Sequence, residues 1–283
     1  MKILKIMSYV ITVPFTLILL FINLNPQFGS NPKKIEKKYY SAYSNYEDGE
    51  FKNKESTALF TDEMSFWDFF KTEINREPVK ELIPLDLDIN SFISNNSNEI
   101  ELVWLGHSAF ILNINGVIVL LDPMLGNHAA PVPLPSLKRY SSQLAFDIDE
   151  IEKIDFVIYS HDHYDHLDYP TIKKIKDKVG LFIVPLGVGN HLEGWGVNKN
   201  SIKELNWEES YKHNEIDFVC LPARHFSGRG PLNRNSTLWS SWAIKSPLGK
   251  IYFSGDSGYG SHFEEIGLTH GPFDISLIDC GQY

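Results

Sequence analysis

The sequence predicts an α/β layered domain, and three observations carry that expectation. From residue 99 onward, short apolar runs recur with only a few helical patterns between them, as when strands and helices stack in layers. Asn115-Gly116 separates two of those runs and supplies the positive φ values a two-residue hairpin turn demands. Residues able to do chemistry gather where the apolar runs stop, on loops at strand ends.

Taken in chain order, Lys2 and Lys5 precede an apolar stretch over residues 6–24, interrupted by Ser8, Thr12, Pro14, Thr16 and Asn23. Its length just meets the ~20 mostly apolar residues of a bilayer span, and its basic start also fits a secretory signal. Residues 1–25 are therefore expected to be a membrane anchor or signal segment that makes the protein membrane-associated. Lys33, Lys34, Lys37 and Lys38 beyond it offset Lys2 and Lys5, so charge does not choose a side of the membrane. Residues 26–95 read as a polar, tyrosine-rich arm followed by an amphipathic helix over 61–75. That helix carries Met64, Phe66, Trp67, Phe69 and Phe70 toward either the main domain or lipid.

The main domain is expected over residues 96–283. Strands are predicted at 101–105, 109–114, 117–122, 154–160, 181–185, 218–222, 239–245, 250–254 and 275–279. A proline-rich loop covers 122–135, and Pro170 opens a helix running to 178, at the position where proline is tolerated best. A hydrophobic share of 43% against 22% charged residues excludes a wholly disordered chain. With 26 basic and 36 acidic residues, the net charge of -10 argues against a dedicated nucleic-acid binder. It leaves an anionic substrate open, because a few arginines or a metal override the global field. Cys220 and Cys280 are too few for a disulfide scaffold and read as buried free thiols.

The most informative stretch is residues 160–168, Ser-His-Asp-His-Tyr-Asp-His-Leu-Asp. It places His161, His163 and His166 with Asp162 and Asp165 directly after an apolar strand, where side chains converge instead of alternating across a sheet. Imidazole nitrogen and carboxylate oxygen are ligands of zinc, with iron and manganese as competitors. His225 and Asp256 each close a later apolar strand in the same way. Isolated histidines at 191, 213, 262 and 270 read as structural. Arg224, Arg229 and Arg234 lie near His225 and are candidates for holding a phosphate, with solvated loop charge the alternative for Arg229 and Arg234.

The order His-x-His-x-Asp-His, strand-end His, Ser-Gly-Asp resembles the metallo-β-lactamase superfamily. Within it, Trp104-Leu-Gly-His-Ser-Ala-Phe, Leu121-Asp-Pro, Pro222-Ala-Arg-His-Phe-Ser-Gly-Arg-Gly and Thr237-Leu-Trp-Ser-Ser-Trp resemble the N-acyl-phosphatidylethanolamine-hydrolysing phospholipase D group and its bacterial relatives. The resemblance covers roughly residues 26–283. It implies an αββα sandwich holding two Zn2+. His161, His163 and His225 would bind one ion, Asp165 and His166 the other, and Asp256 would bridge them. Asp165 and Asp256 would be the catalytic carboxylates. Asp162 would orient a ligand imidazole. Asp122 and His107 would support the site from behind, with a purely structural role equally open for both.

The implied activity is zinc-dependent phosphodiester hydrolysis, of phospholipase D type on N-acyl-phosphatidylethanolamine-like phospholipids, with a metal-activated hydroxide as nucleophile. The implied partners are a phospholipid or other phosphodiester and a membrane, without nucleic acid, and a homodimer is compatible with them. Two alternatives stand beside it: a same-fold hydrolase of a soluble phosphodiester or sugar-phosphate lactone, and a truncated, inactive metal-binding protein. The second arises because the group expects a further histidine beyond Ser-Gly-Asp, whereas the chain stops at Tyr283. The sandwich is accordingly expected to lack its C-terminal strands and helix.

Overall fold

The computed structural model describes residues 2–57, 78–141 and 143–280. Helices α1 (Lys2–Leu24) and α2 (Lys34–Tyr40) come first, then a small hairpin of β1 (Tyr46–Glu47) and β2 (Glu50–Phe51), then helix α3 (Ile89–Ser94). Strands β3 (Ile100–Gly106), β4 (Ala109–Ile114) and β5 (Val117–Leu121) form an antiparallel meander. Its second turn is the two-residue hairpin expected at Asn115-Gly116, with φ of 51° and 83°. Strands β6 (Ile154–Ile158), β7 (Val179–Pro185) and β8 (Ile202–Leu205) extend this sheet in parallel, with helices α4 (Tyr169–Ile175) and α5 (Gly189–Gly194) as crossovers. Asp168 caps α4 by accepting from the Thr171 N–H, and Pro170 occupies its first turn as predicted.

The second sheet holds β9 (Ser210–His213), β10 (Ile216–Leu221), β11 (Ser241–Ser246), β12 (Gly249–Phe253) and β13 (Ile275–Leu277), in the order β13-β12-β11-β10-β9. Helix α6 (His262–His270) links its last two strands.

Side-chain alternation explains why the sheets stack. Leu112, Ile114, Val119 and Leu121 of the first sheet share one buried cluster with Phe218, Cys220, Trp242 and Ile244 of the second. Their neighbours Ile111, Ile118 and Leu120 face the opposite way, against Ile89 and Phe92 of α3, Ile172 and Ile175 of α4, and Leu192 of α5. On the far side of the second sheet, Val219, Leu221, Ala243 and Tyr252 pack with Ile266 of α6. The layers therefore run helix, sheet, sheet, helix, which is the αββα sandwich.

Three expectations are revised. First, no helix among the described residues is long and apolar enough to cross a membrane, so the membrane-anchored localisation is withdrawn. Residues 2–24 are helical, with Pro14 inside the helix and Ser8, Thr12, Thr16 and Asn23 among its apolar residues. Second, the arm is part of the body. Tyr40, Tyr46 and Phe51 pack ring against ring at 4.8–5.6 Å and are buried in the cluster between the sheets. Third, Cys220 is buried, but Cys280 is exposed just past the edge strand β13, where no second strand or helix covers it among the described residues. The helix expected over 61–75 lies outside the described residues.

Glu204 of β8 accepts hydrogen bonds from the N–H groups of Gly187 and Gly189, where the chain enters α5, at 2.8 and 2.9 Å. Burial pushes its carboxyl up to about 7. An unfolded glutamate titrates near ~4.3, so folding takes up a proton between the two values. Stability therefore falls as pH climbs through that window and stays flat above it. Glu204→Gln keeps the accepting oxygen without the charge. It should add roughly 2 kcal/mol of stability above pH 7 and lose that advantage near pH 4, as read by urea unfolding at both values.

Candidate metal centre

The site forms where β3, β5, β6, β10 and β12 end. Asp122 follows β5 in a left-handed conformation, φ 39°, and organises the neighbouring loop. Its Oδ1 accepts the Ser160 N–H at 2.7 Å, while Oδ2 accepts the Ser160 hydroxyl and lies 2.7 Å from His166 Nδ1. The carboxylate thereby ties the end of β5 to the end of β6. It also keeps the His166 proton on Nδ1, which turns the Nε2 lone pair toward the centre. That Nε2 is buried and lacks hydrogen-bond alignment with any group, although Asp256 Oδ1 is only 3.1 Å away.

His161, His163 and His225 form the first donor group. His163 Nδ1 lies 2.8 Å from His161 Nε2 and 3.1 Å from His225 Nε2. With shared protons His163 Nδ1 has one lone pair for two neighbours, whereas one cation among the three nitrogens would meet a lone pair from each. Burial favours the neutral rings: it holds the pKa of His161 well below the usual value, lowers that of His163, and pushes His225 down to about 3.

His107, Asp165 and His166 form the second group. His107, at φ 48° beyond β3, brings Nε2 to 3.1 Å from Asp165 Oδ2, and its ring lies 5.3 Å from that of His166. Burial opposes charge on both members of the Asp165–His166 pair. The surrounding opposite charges prevail, holding the Asp165 carboxyl well below the usual range and raising His166 well above its own. Asp256 faces both groups, with Oδ1 at 3.1 Å from His166 Nε2 and Oδ2 at 3.8 Å from His225 Nε2. Although burial pushes the other way, His166 holds its carboxyl at about 2. Neutral imidazoles on one side, and a histidine ringed by carboxylates on the other, fit metal cations.

Asp162 points away from both groups into the interior. It accepts from the Gly228 N–H at 2.8 Å, the Thr237 hydroxyl at 3.0 Å and His191 Nε2 at 3.2 Å. His191 Nδ1 in turn accepts the Ser30 N–H at 3.0 Å, so its proton sits on Nε2. The histidine read from sequence as merely structural thus steadies the stretch between two candidate ligands. Only the folded chain brings Ser30 and Asp162 to it, so no local sequence signal marks it.

The three arginines separate. Arg229 is buried, donating from Nε to the Gln27 carbonyl and from Nη1 to those of Asp162 and Leu167, with its guanidinium 4.0 Å above the Tyr164 ring. Its expected phosphate contact is corrected: the cation is engaged in holding the chain together. Arg224 binds Thr57 Oγ1 and the Tyr259 carbonyl. Arg234 is exposed, with its guanidinium 4.4 Å above the Phe226 ring, which packs against His163 and His225.

Fold and site together define the class of protein, an αββα sandwich with metal donors clustered where its strands end. The chain belongs to the β-lactamase superfamily: the family model described as "Beta-lactamase superfamily domain" matches residues 118–283. It is 38% identical over 248 residues to Uncharacterized protein Rv0906 of Mycobacterium tuberculosis, covering 84% of this chain and 64% of that protein. It is 35% identical over 191 residues to N-acyl-phosphatidylethanolamine-hydrolyzing phospholipase D 1 of Caenorhabditis elegans, covering 64% and 53%. A UPF0173 metal-dependent hydrolase of Caldivirga maquilingensis is 31% identical over 194 residues, covering 64% and 70%. The chain thus spans between about half and two thirds of the length of the first two of these relatives.

Proposed function

We propose that this chain is a zinc-dependent phosphodiester hydrolase of phospholipase D type, acting on N-acyl-phosphatidylethanolamine-like phospholipids. The observation that carries the reading is the pair of donor groups with one Asp256 oxygen turned to each. The 35% identity to the C. elegans phospholipase supports the choice of substrate. His161, His163 and His225 would hold one zinc, Asp165 and His166 a second, and Asp256 both. Bound there, the ions would acidify a water and stabilise charge on a phosphoryl oxygen.

The chain's own residues provide the alignment. Asp122 keeps His166 Nε2 turned inward, and Ser160 Oγ, 2.9 Å from His161 Nδ1, steadies that ring. Arg234 would meet the anionic phosphate, a role supported by its exposed guanidinium beside the Phe226–His163–His225 stack.

The test supplies zinc to the purified chain and offers N-acyl-phosphatidylethanolamine in detergent micelles beside bis(4-nitrophenyl) phosphate. Phosphatidic acid should appear from the lipid, stop on chelation and return with zinc. Cleavage of the soluble diester with no phosphatidic acid from the lipid would move the assignment to soluble phosphodiesters.

A further inference from the structure

We propose that Asn53, delivered by the segment leaving β2, is a positioning residue for the metal centre, fixing the backbone of His225 and through it the ring. The inference rests on the reading that His161, His163 and His225 hold a metal ion.

His225 lies beyond the end of β10, where the sheet no longer supplies ladder partners for its backbone. Asn53 supplies both. Its Nδ2 donates to the His225 carbonyl at 2.8 Å, and its Oδ1 accepts the His225 N–H at 3.2 Å. The side-chain amide therefore replaces the rung of a β-ladder. Oδ1 also accepts from Trp239 Nε1 at 2.9 Å, and that indole is shared with the Ala223 carbonyl at 2.9 Å. Trp239 is only 1% exposed, so the partner that locks the amide is itself immobilised by packing. Reversing the amide would set an NH2 group against two N–H donors and a carbonyl against a carbonyl, so only one orientation is satisfied.

The delivery is equally fixed. Phe51, fully buried, donates its N–H to the Asn235 carbonyl at 2.9 Å, and Asn235 donates to the Ser227 carbonyl at 3.0 Å. The arm is thus fastened to His225 and to the segment that follows it, and His225 Nε2 lies 3.1 Å from His163 Nδ1. A ligand set works only when each member is held to within about 0.5 Å, which a backbone clamp achieves and a free loop does not.

The experiment titrates Co2+ into the full chain against a competing chelator and records the visible spectrum of the bound ion. Asn53→Ala should weaken Co2+ binding about 10–100-fold and shift the absorption bands, as loss of a group that orients a ligand does. Asn45→Ala, which removes the arm's contact to Asn206 away from His225, should leave affinity and spectrum as in the parent. Asn53→Asp keeps the acceptor for His225 and Trp239 but loses the donor to the His225 carbonyl, and serves if the alanine variant does not fold. It should lose part of the affinity and shift the bands in the same direction.

Parental affinity and spectrum in either folded Asn53 variant would overturn the proposal, as would an equal loss in Asn45→Ala. A parent that binds no Co2+ would overturn the metal reading itself, and this inference with it.

Discussion

Replacing His163 with alanine should abolish tight metal binding and slow hydrolysis by about 10³-fold or more, the scale of several kcal/mol of transition-state stabilisation supplied by metal ions. His163 is the hinge of the first donor group, since its Nδ1 is the atom that approaches both His161 Nε2 and His225 Nε2. The same substitution should leave the metal-free protein at least as stable as the parent. Without a cation, three closely spaced nitrogens compete for shared protons, and His163→Ala removes the one in contact with both others. Added zinc should raise the melting temperature of the parent by mass action and leave the variant almost unmoved. Thermal melts with and without zinc, beside an activity assay, check all three outcomes. A variant that loses stability without metal while retaining zinc stabilisation would show that the triangle is structural packing.

The second large effect is expected at Asp162. Asp162→Ala should destabilise the fold by about 3–5 kcal/mol, the usual loss when one side of a buried charge network is removed. It would leave the Gly228 N–H, the Thr237 hydroxyl and His191 Nε2–H without an acceptor, beside the buried guanidinium of Arg229. For a domain of this size, that corresponds to a fall on the order of 10 °C in melting temperature. Burial works to raise the Asp162 carboxyl, but the hydrogen bond from His191 holds it well below the ordinary value. A depressed carboxyl contributes its full stability above the unfolded value of ~3.9 and loses it as pH falls toward the folded one. The gap between parent and variant should therefore be constant across neutral pH and close only below about pH 4. A gap under ~1 kcal/mol at pH 7 would show that other acceptors replace the carboxylate.

What the sequence makes legible follows from how far apart the cooperating residues lie. His161, His163, Asp165 and His166 stand within six positions, so their spacing alone announces a site. His225 and Asp256 are distant, but each ends an apolar strand, and strand ends at one edge of a sandwich meet. The central strands are legible because both of their faces are buried. Strands β8 and β9 are not: of their residues only Leu205 is buried, and Lys203, Glu204 and Lys212 break any apolar run. As outer strands they are defined by pairing with β7 and β10.

Arg229 looks like its neighbours in sequence. Only the packed chain shows Tyr164 beneath it and carbonyls around it, an environment that no local pattern encodes.

The fastening of the arm also bears on when the centre comes into being. Asn53 and His225 are 172 positions apart, and Gln27 and Arg229 are separated by 202. Contacts closing loops of that length form late, because chain entropy must be overcome before they contribute anything in return. On the ribosome, Gln27 and Asn53 must wait until Arg229 and His225 have been made before their partners exist. The clamp on His225 is therefore expected to close after the local strand pairings have formed.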